Sequence, residues 1–209
     1  MDFANFTSPE LAAVQAGQAA AAVGTYWTRS VVVVGVWSLI LTGTLAPPVA
    51  AFVASFNHEP VWSDGAWTWP YTFTVLGVQR SARLEARLVS AGVSNITSTA
   101  GTWSLNLNPA DPRAFLDIAW SRAASGDRYQ LTYTNVISGT AEYGSYITHA
   151  VTGDPPYDAF YDLYGALGGN LTEIEWSRTT KAGRTRDPAH FQNSEWHCWG
   201  ADLNSTTCP

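Results

Sequence analysis

Lysine is all but missing from these 209 residues: Lys181 is the only one. Lys and Arg together number 11 against 17 Asp and Glu, a net charge of -6. Binding to a nucleic-acid backbone requires a basic face, so that class of partner is excluded. Charge of either sign is scarce, at 13% of residues against roughly 25% in an average soluble domain. The hydrophobic share is 46%, and this balance excludes a disordered chain. Cysteine is limited to Cys198 and Cys208, too few for a disulfide-dense scaffold. There is no C-x-x-C pair, no C-x-x-C-H haem attachment, no P-loop, no dinucleotide fingerprint and no G-x-S-x-G elbow, so no cofactor is expected.

Tryptophan, in contrast, is abundant, with 10 in the chain. A chain of this length and apolar content can build one large β domain with an appendage. The expected division is an N-terminal apolar helical segment over 1–57 and an antiparallel β domain over 58–209. Ser8-Pro9-Glu10 reads as a helix start, with Ser as N-cap and Pro in the first turn. An Ala-rich run from Leu11 to Val23 follows, and no charged residue occurs between Ser30 and Asn57. Three readings compete for that uncharged stretch. A membrane helix needs about 20 apolar residues, and Pro47-Pro48 interrupts the run. A signal peptide would have its cleavage site near Ala50-Ala51, but the preceding region is too long for one. A helix buried against the rest of the protein, or against a second copy, is the favoured reading. The scattered small residues Gly35, Ser38, Thr42, Gly43 and Thr44 suit close packing. Membrane association is not favoured.

Past Asn57 the period changes. Trp67, Trp69, Tyr71, Phe73 and Val75 fall on alternate positions, and Arg83 to Val89 alternates as well, which is the strand signal. Further strands are expected at Gly101–Leu107, Phe115–Arg122, Arg128–Ile137, Gly144–Val151, Ala159–Tyr164 and Leu171–Thr179. Turn residues separate them without intervening helices. The expected fold is mainly β, an antiparallel meander forming a barrel or strongly curved sheet with the N-terminal segment packed on it. Cys198 and Cys208 are expected to form a disulfide closing the C-terminal tail. Such a short loop restricts the unfolded chain by about 2–3 kcal/mol and requires an oxidising compartment. Free thiols, or a metal site with His190 and His197, are the alternatives.

Taken together, several motifs resemble uncharacterised, exported, β-rich bacterial lipoprotein-like proteins. They are the Trp37 segment ending in Pro48-Val49-Ala50, Trp67-Thr68-Trp69, Gly101-Thr102-Trp103 and the closing Trp196-His197-Cys198-Trp199 with Cys208-Pro209. The likeness runs over most of the chain. It implies an extracytoplasmic location (periplasm, cell surface or secreted) and a disulfide, and it carries over no catalytic residue. The chain departs from that pattern in having no lipid-acceptor cysteine near Met1.

Chemistry-bearing candidates are few. Glu173 and Glu175, two apart on an expected strand, face one side, and Asp158 and Asp162 share a side in a strand or a helix. Paired carboxylates serve glycoside hydrolysis, but the preferred reading is a solvated sheet face. Arg178, Lys181, Arg184 and Arg186 form a small basic cluster read as a solvated loop. Trp67, Trp69, Trp103, Trp120 and Trp176 are expected in the core. Trp27, Trp37, Trp62, Trp196 and Trp199 are the candidate binding or interface residues, with Trp27 and Trp62 expected at the surface. The function expected first is a non-catalytic exported structural or interaction protein, self-associating through its N-terminal segment into a homo-oligomer. The second is a binding module for an apolar ligand or a glycan, and the third is a hydrolase.

Overall fold

The structure, a computed structural model, describes residues 25–37, 61–75, 77–91, 98–106, 116–123 and 128–209. The helix start expected at Ser8-Pro9-Glu10, the Ala-rich run after it and residues 38–60 lie outside the described residues. Twelve strands follow one another in chain order: β1 (Val61–Ser63), β2 (Ala66–Val75), β3 (Val78–Ala91), β4 (Ser98–Asn106), β5 (Leu116–Arg122) and β6 (Tyr129–Asn135). Then come β7 (Tyr146–Val151), β8 (Ala159–Gly165), β9 (Asn170–Trp176), β10 (Gly183–Arg186), β11 (His197–Trp199) and β12 (Ser205–Thr206). Each pairs with the next, so the sheet order is the chain order, and all the pairings are antiparallel. Local chemistry sets this topology. Asp64 and Gly65 join β1 to β2 with φ of 53° and 75°, the left-handed pair that a two-residue hairpin requires.

The strands expected from alternation correspond to β2 through β9. Four were missed. β1, β10, β11 and β12 have four residues or fewer, too short to show a period.

The expected barrel is corrected. The twelve strands form one open antiparallel sheet that is not strongly curled, with no closure among the described residues. Both edge strands are very short, which blunts an edge without closing it. Near the β12 edge, Cys198 and Cys208 form a disulfide with Cα atoms 5.1 Å apart. Ser205 Oγ accepts a hydrogen bond from the Tyr26 amide, so this edge is tied to a helix rather than to β1.

That helix, α1, covers residues 26–37. Thr25 caps it, its hydroxyl oxygen accepting from the Thr28 amide at 3.1 Å. Trp27, Ser30, Val31 and Val34 are buried at the i, i+3, i+4, i+7 spacing of one helical face. The run Val31-Val32-Val33-Val34 favours a strand locally, at up to about 0.7 kcal/mol per residue. Burial overrides it, because each buried valine gains about 1.5–3 kcal/mol and Val31, Val33 and Val34 are all buried.

The sheet face beneath α1 carries Tyr133, Ile147, Val151, Ala159, Tyr161, Ile174, Trp176 and Trp199, which join Trp27, Val31, Val33 and Val34 in one core. Strand alternation puts these residues on one side: in β9, Thr172, Ile174 and Trp176 are buried and the residues between them are not. At β10, Gly183 leaves room for the Trp199 ring. A Cβ there would collide with that ring and with the Glu175 carbonyl oxygen. Trp199 places its indole N–H on the Lys181 carbonyl at 2.7 Å.

One ion pair fixes the helix on the sheet. Arg29 donates from Nε at 3.1 Å and from a terminal nitrogen at 2.7 Å to one oxygen of Asp187. The other oxygen of Asp187 accepts from the His190 amide and so caps α2 (Pro188–Phe191). Asp187 is 2% exposed. Removing its cation strands a buried charge. Arg29→Met is therefore expected to lower stability by about 2–3 kcal/mol. Adding Asp187→Asn, which keeps the cap and removes the charge, should restore part of that loss. Urea titration of the single and double variants checks this, and an additive double variant would contradict it.

Candidate functional site

The face away from α1 holds Asp162, Glu173, Glu175, Arg184 and Arg186 of the acids and bases singled out in the sequence. Asp162 on β8 stands opposite Glu173 on β9, and Glu173 stands opposite Arg186 on β10. One step along, Phe160, Glu175 and Arg184 form the parallel row. Arg184 Nε donates to Glu175 at 2.8 Å, and Arg186 pairs with Glu173. Both guanidiniums also lie over the Trp196 ring, at 4.2 Å and 4.7 Å from its centroid. Arg184 and Arg186 thus sit on a strand, not in the expected loop, and are neutralised there. Asp158 accepts from the Arg178 amide at 2.7 Å and holds the β8 and β9 ends together. Asp158 lies just before β8, and across the strands it is Glu173 that stands beside Asp162. Two strands were needed to see it, because cross-strand register is invisible in a single segment's alternation.

Asp162 is the perturbed carboxyl of this face. Burial first, then Glu173 and Glu175, raises its carboxyl to about 6, with Arg186 opposing. Thr148 is its neighbour on β7, and the Thr148 hydroxyl lies 3.0 Å from that of Thr132. With Glu173 and Glu175 each held by an arginine, the arrangement is a cross-strand ion-pair ladder.

The opposite face contains a cavity. It has a volume of about 490 Å³ and lies at the end of α1. Trp37, Leu116, Tyr133, Ile147 and Leu163 supply its apolar wall. Asn135, Glu142, Ser145, Asn170 and Thr172 contribute polar groups. The rim is built by hydrogen bonds between loops. The Asn135 side chain accepts from the Ile137 amide at 3.0 Å. Ser145 Oγ accepts from the Ala166 amide at 2.9 Å and donates to Glu142, which joins the β6–β7 loop to the β8–β9 loop. Burial pushes the Tyr133 hydroxyl up to about 12, so it stays protonated.

The candidate tryptophans separate. Trp27 and Trp199 are in the core, at 5% and 1% exposure, so Trp27 is not the surface residue expected. Trp37 borders the cavity. Trp196 lies beneath Arg184 and Arg186. Trp62 is 56% exposed and meets Trp67, itself 38% exposed, at 4.9 Å between ring centroids. Of the tryptophans expected inside, Trp176 is buried, Trp69 packs against the core, and Trp67 is at the surface. The side chain of Trp103 lies outside the described residues. Cys198 is in the disulfide and has no thiolate to offer a metal, and no cluster of three or more potential metal ligands occurs among the described residues. Among them, too, no helix is long and apolar enough to cross a membrane.

No family model, no curated protein and no solved structure matches the chain.

Asp162 gives the wet face a pH signature. Its folded pKa lies above the ordinary carboxylate value, so the native state holds the proton more tightly than the unfolded chain. Stability from this group is full below about pH 4 and declines as pH rises through about 6. Because the carboxyl is partly exposed to water, the loss is about 1 kcal/mol. Asp162→Asn should therefore stabilise the protein by about that much near pH 7.5 and leave it unchanged near pH 4. Urea titrations at the two pH values test this, and an equal gain at both would exclude ionisation as the cause.

Proposed function

We propose that this protein is a non-catalytic, extracytoplasmic binding module that holds a small, largely apolar molecule between its sheet and its helix. The cavity at the end of α1 carries this reading. Its volume is that of small-molecule sites, roughly 300–1,000 Å³, and its wall is apolar with a few polar groups at one side. The Cys198–Cys208 disulfide supports an oxidising compartment, as does the resemblance to exported lipoprotein-like proteins. The acids on the other face support no hydrolase, because Glu173 and Glu175 are tied into ion pairs.

The test is to fill the cavity. Leu163 is part of its wall and only partly buried, so Leu163→Trp can occupy the space. An apolar fluorescent probe such as N-phenylnaphthylamine should bind the native protein saturably, one to one, and bind the variant at least tenfold more weakly. Matching thermal melts would show that the variant folds. Equal binding by both proteins would eliminate the cavity as the site.

A second reading, self-association, is favoured by one observation. Val61 and Trp62 on the short edge strand β1 are 60% and 56% exposed, and exposed apolar groups at a sheet edge favour pairing with another copy. The N-terminal segment supplies less than expected to such an interface, since Trp27, Val31 and Val34 are buried against their own sheet. If the edge mediates association, sedimentation velocity will show a concentration-dependent species that Trp62→Ser removes. A monomer across the whole range would end this reading.

A further inference from the structure

The cavity's polar groups are not evenly charged. Among the described lining residues Glu142 is the single carboxylic acid, and no Lys, Arg or His is described there. Its carboxylate is held in place: one oxygen accepts from Ser145 Oγ, and that hydroxyl oxygen is fixed in turn by the Ala166 amide. A carboxylate positioned before a ligand arrives loses little freedom on binding it. Trp37 and Tyr133 in the same lining add aromatic rings, whose faces attract cations. An anionic head group would meet Glu142 with no compensating cation, in a chain whose net charge is already -6.

We propose that the cavity selects an organic cation with an apolar body. The body packs against Trp37, Tyr133, Ile147 and Leu163, and the ammonium or similar head group lies at Glu142. This rests on the binding-module reading and specifies its ligand class. Glu142 is exposed, so water and salt weaken its pull. The preference it confers is modest, about fivefold over a neutral head group.

Three probes with one tail separate the possibilities: octyltrimethylammonium, octanol and octyl sulfate, each below its micellar concentration, measured by calorimetry on the full chain. The cation should bind about fivefold more tightly than octanol, and octyl sulfate more weakly than either. Glu142→Gln, which keeps an acceptor for Ser145, should erase the preference for the cation over octanol. Raising the salt concentration should shrink the preference in the native protein only. Equal binding of all three head groups, or a preference that survives Glu142→Gln, would overturn the cation proposal and leave the binding module standing. Failure of every probe to bind the native protein would overturn both.

Discussion

A wide antiparallel sheet has two faces, and one of them must be kept dry. Among the described residues that task falls to α1. Tyr161, Ile174, Trp176 and Trp199 lie at 2% exposure or less in the core that Trp27, Val31 and Val34 share. Each apolar group so covered contributes about 1.5–3 kcal/mol, more than an exposed ion pair. Asp187 then gives the docking a direction. By taking Arg29 on one oxygen and the His190 amide on the other, it ties the helix to α2, between β10 and β11. Tyr26 adds ring contacts to Phe191 and His197 at 5.7 Å and 4.6 Å, so the first turn of α1 is held at the end of the sheet.

The cavity follows from the same docking. The helix is anchored at its N-terminal end by Asp187 and Ser205, and its buried stripe runs from Trp27 to Val34. Trp37, the last residue described there, borders the cavity. A ligand of the proposed class seated there would touch helix and sheet together, so its binding would favour helix docking by linkage. The wet face has a different role. Glu173 and Glu175 are paired with arginines across strands, and the Asp162 carboxyl is displaced because burial and these two neighbouring acids act against a single opposing arginine.

Much of this was legible in the amino-acid order, and the limits have physical causes. Strands β2 to β9 show period-2 alternation, so they were readable without a structure. Residues 183–186 were not, because the inward positions hold Gly183 and Thr185 instead of large apolar side chains; Gly183 is small so that Trp199 fits. The valine run lies in a helix against its own β preference, with Val31, Val33 and Val34 buried, and the rest of the uncharged stretch lies outside the described residues. Barrel closure was wrongly expected from strand number, which does not reveal whether the first and last strands meet. The Asp162–Glu173 pair and the Glu142–Ser145 rim depend on register and on loop-to-loop hydrogen bonds. Neither leaves a trace within one segment.

The two faces also explain why so few charges suffice. Lysine at sheet edges is a common guard against unwanted pairing, and this chain has one lysine in all. At the C-terminal edge the guard is covalent and local: the disulfide joins β11 to the tail beyond β12, and Ser205 is engaged by α1. At the other edge β1 has three residues, all exposed, and Val61 and Trp62 stand where lysine would be expected. Among the described residues, then, the β1 edge carries exposed apolar side chains, whereas the α1 side is covered by its own helix.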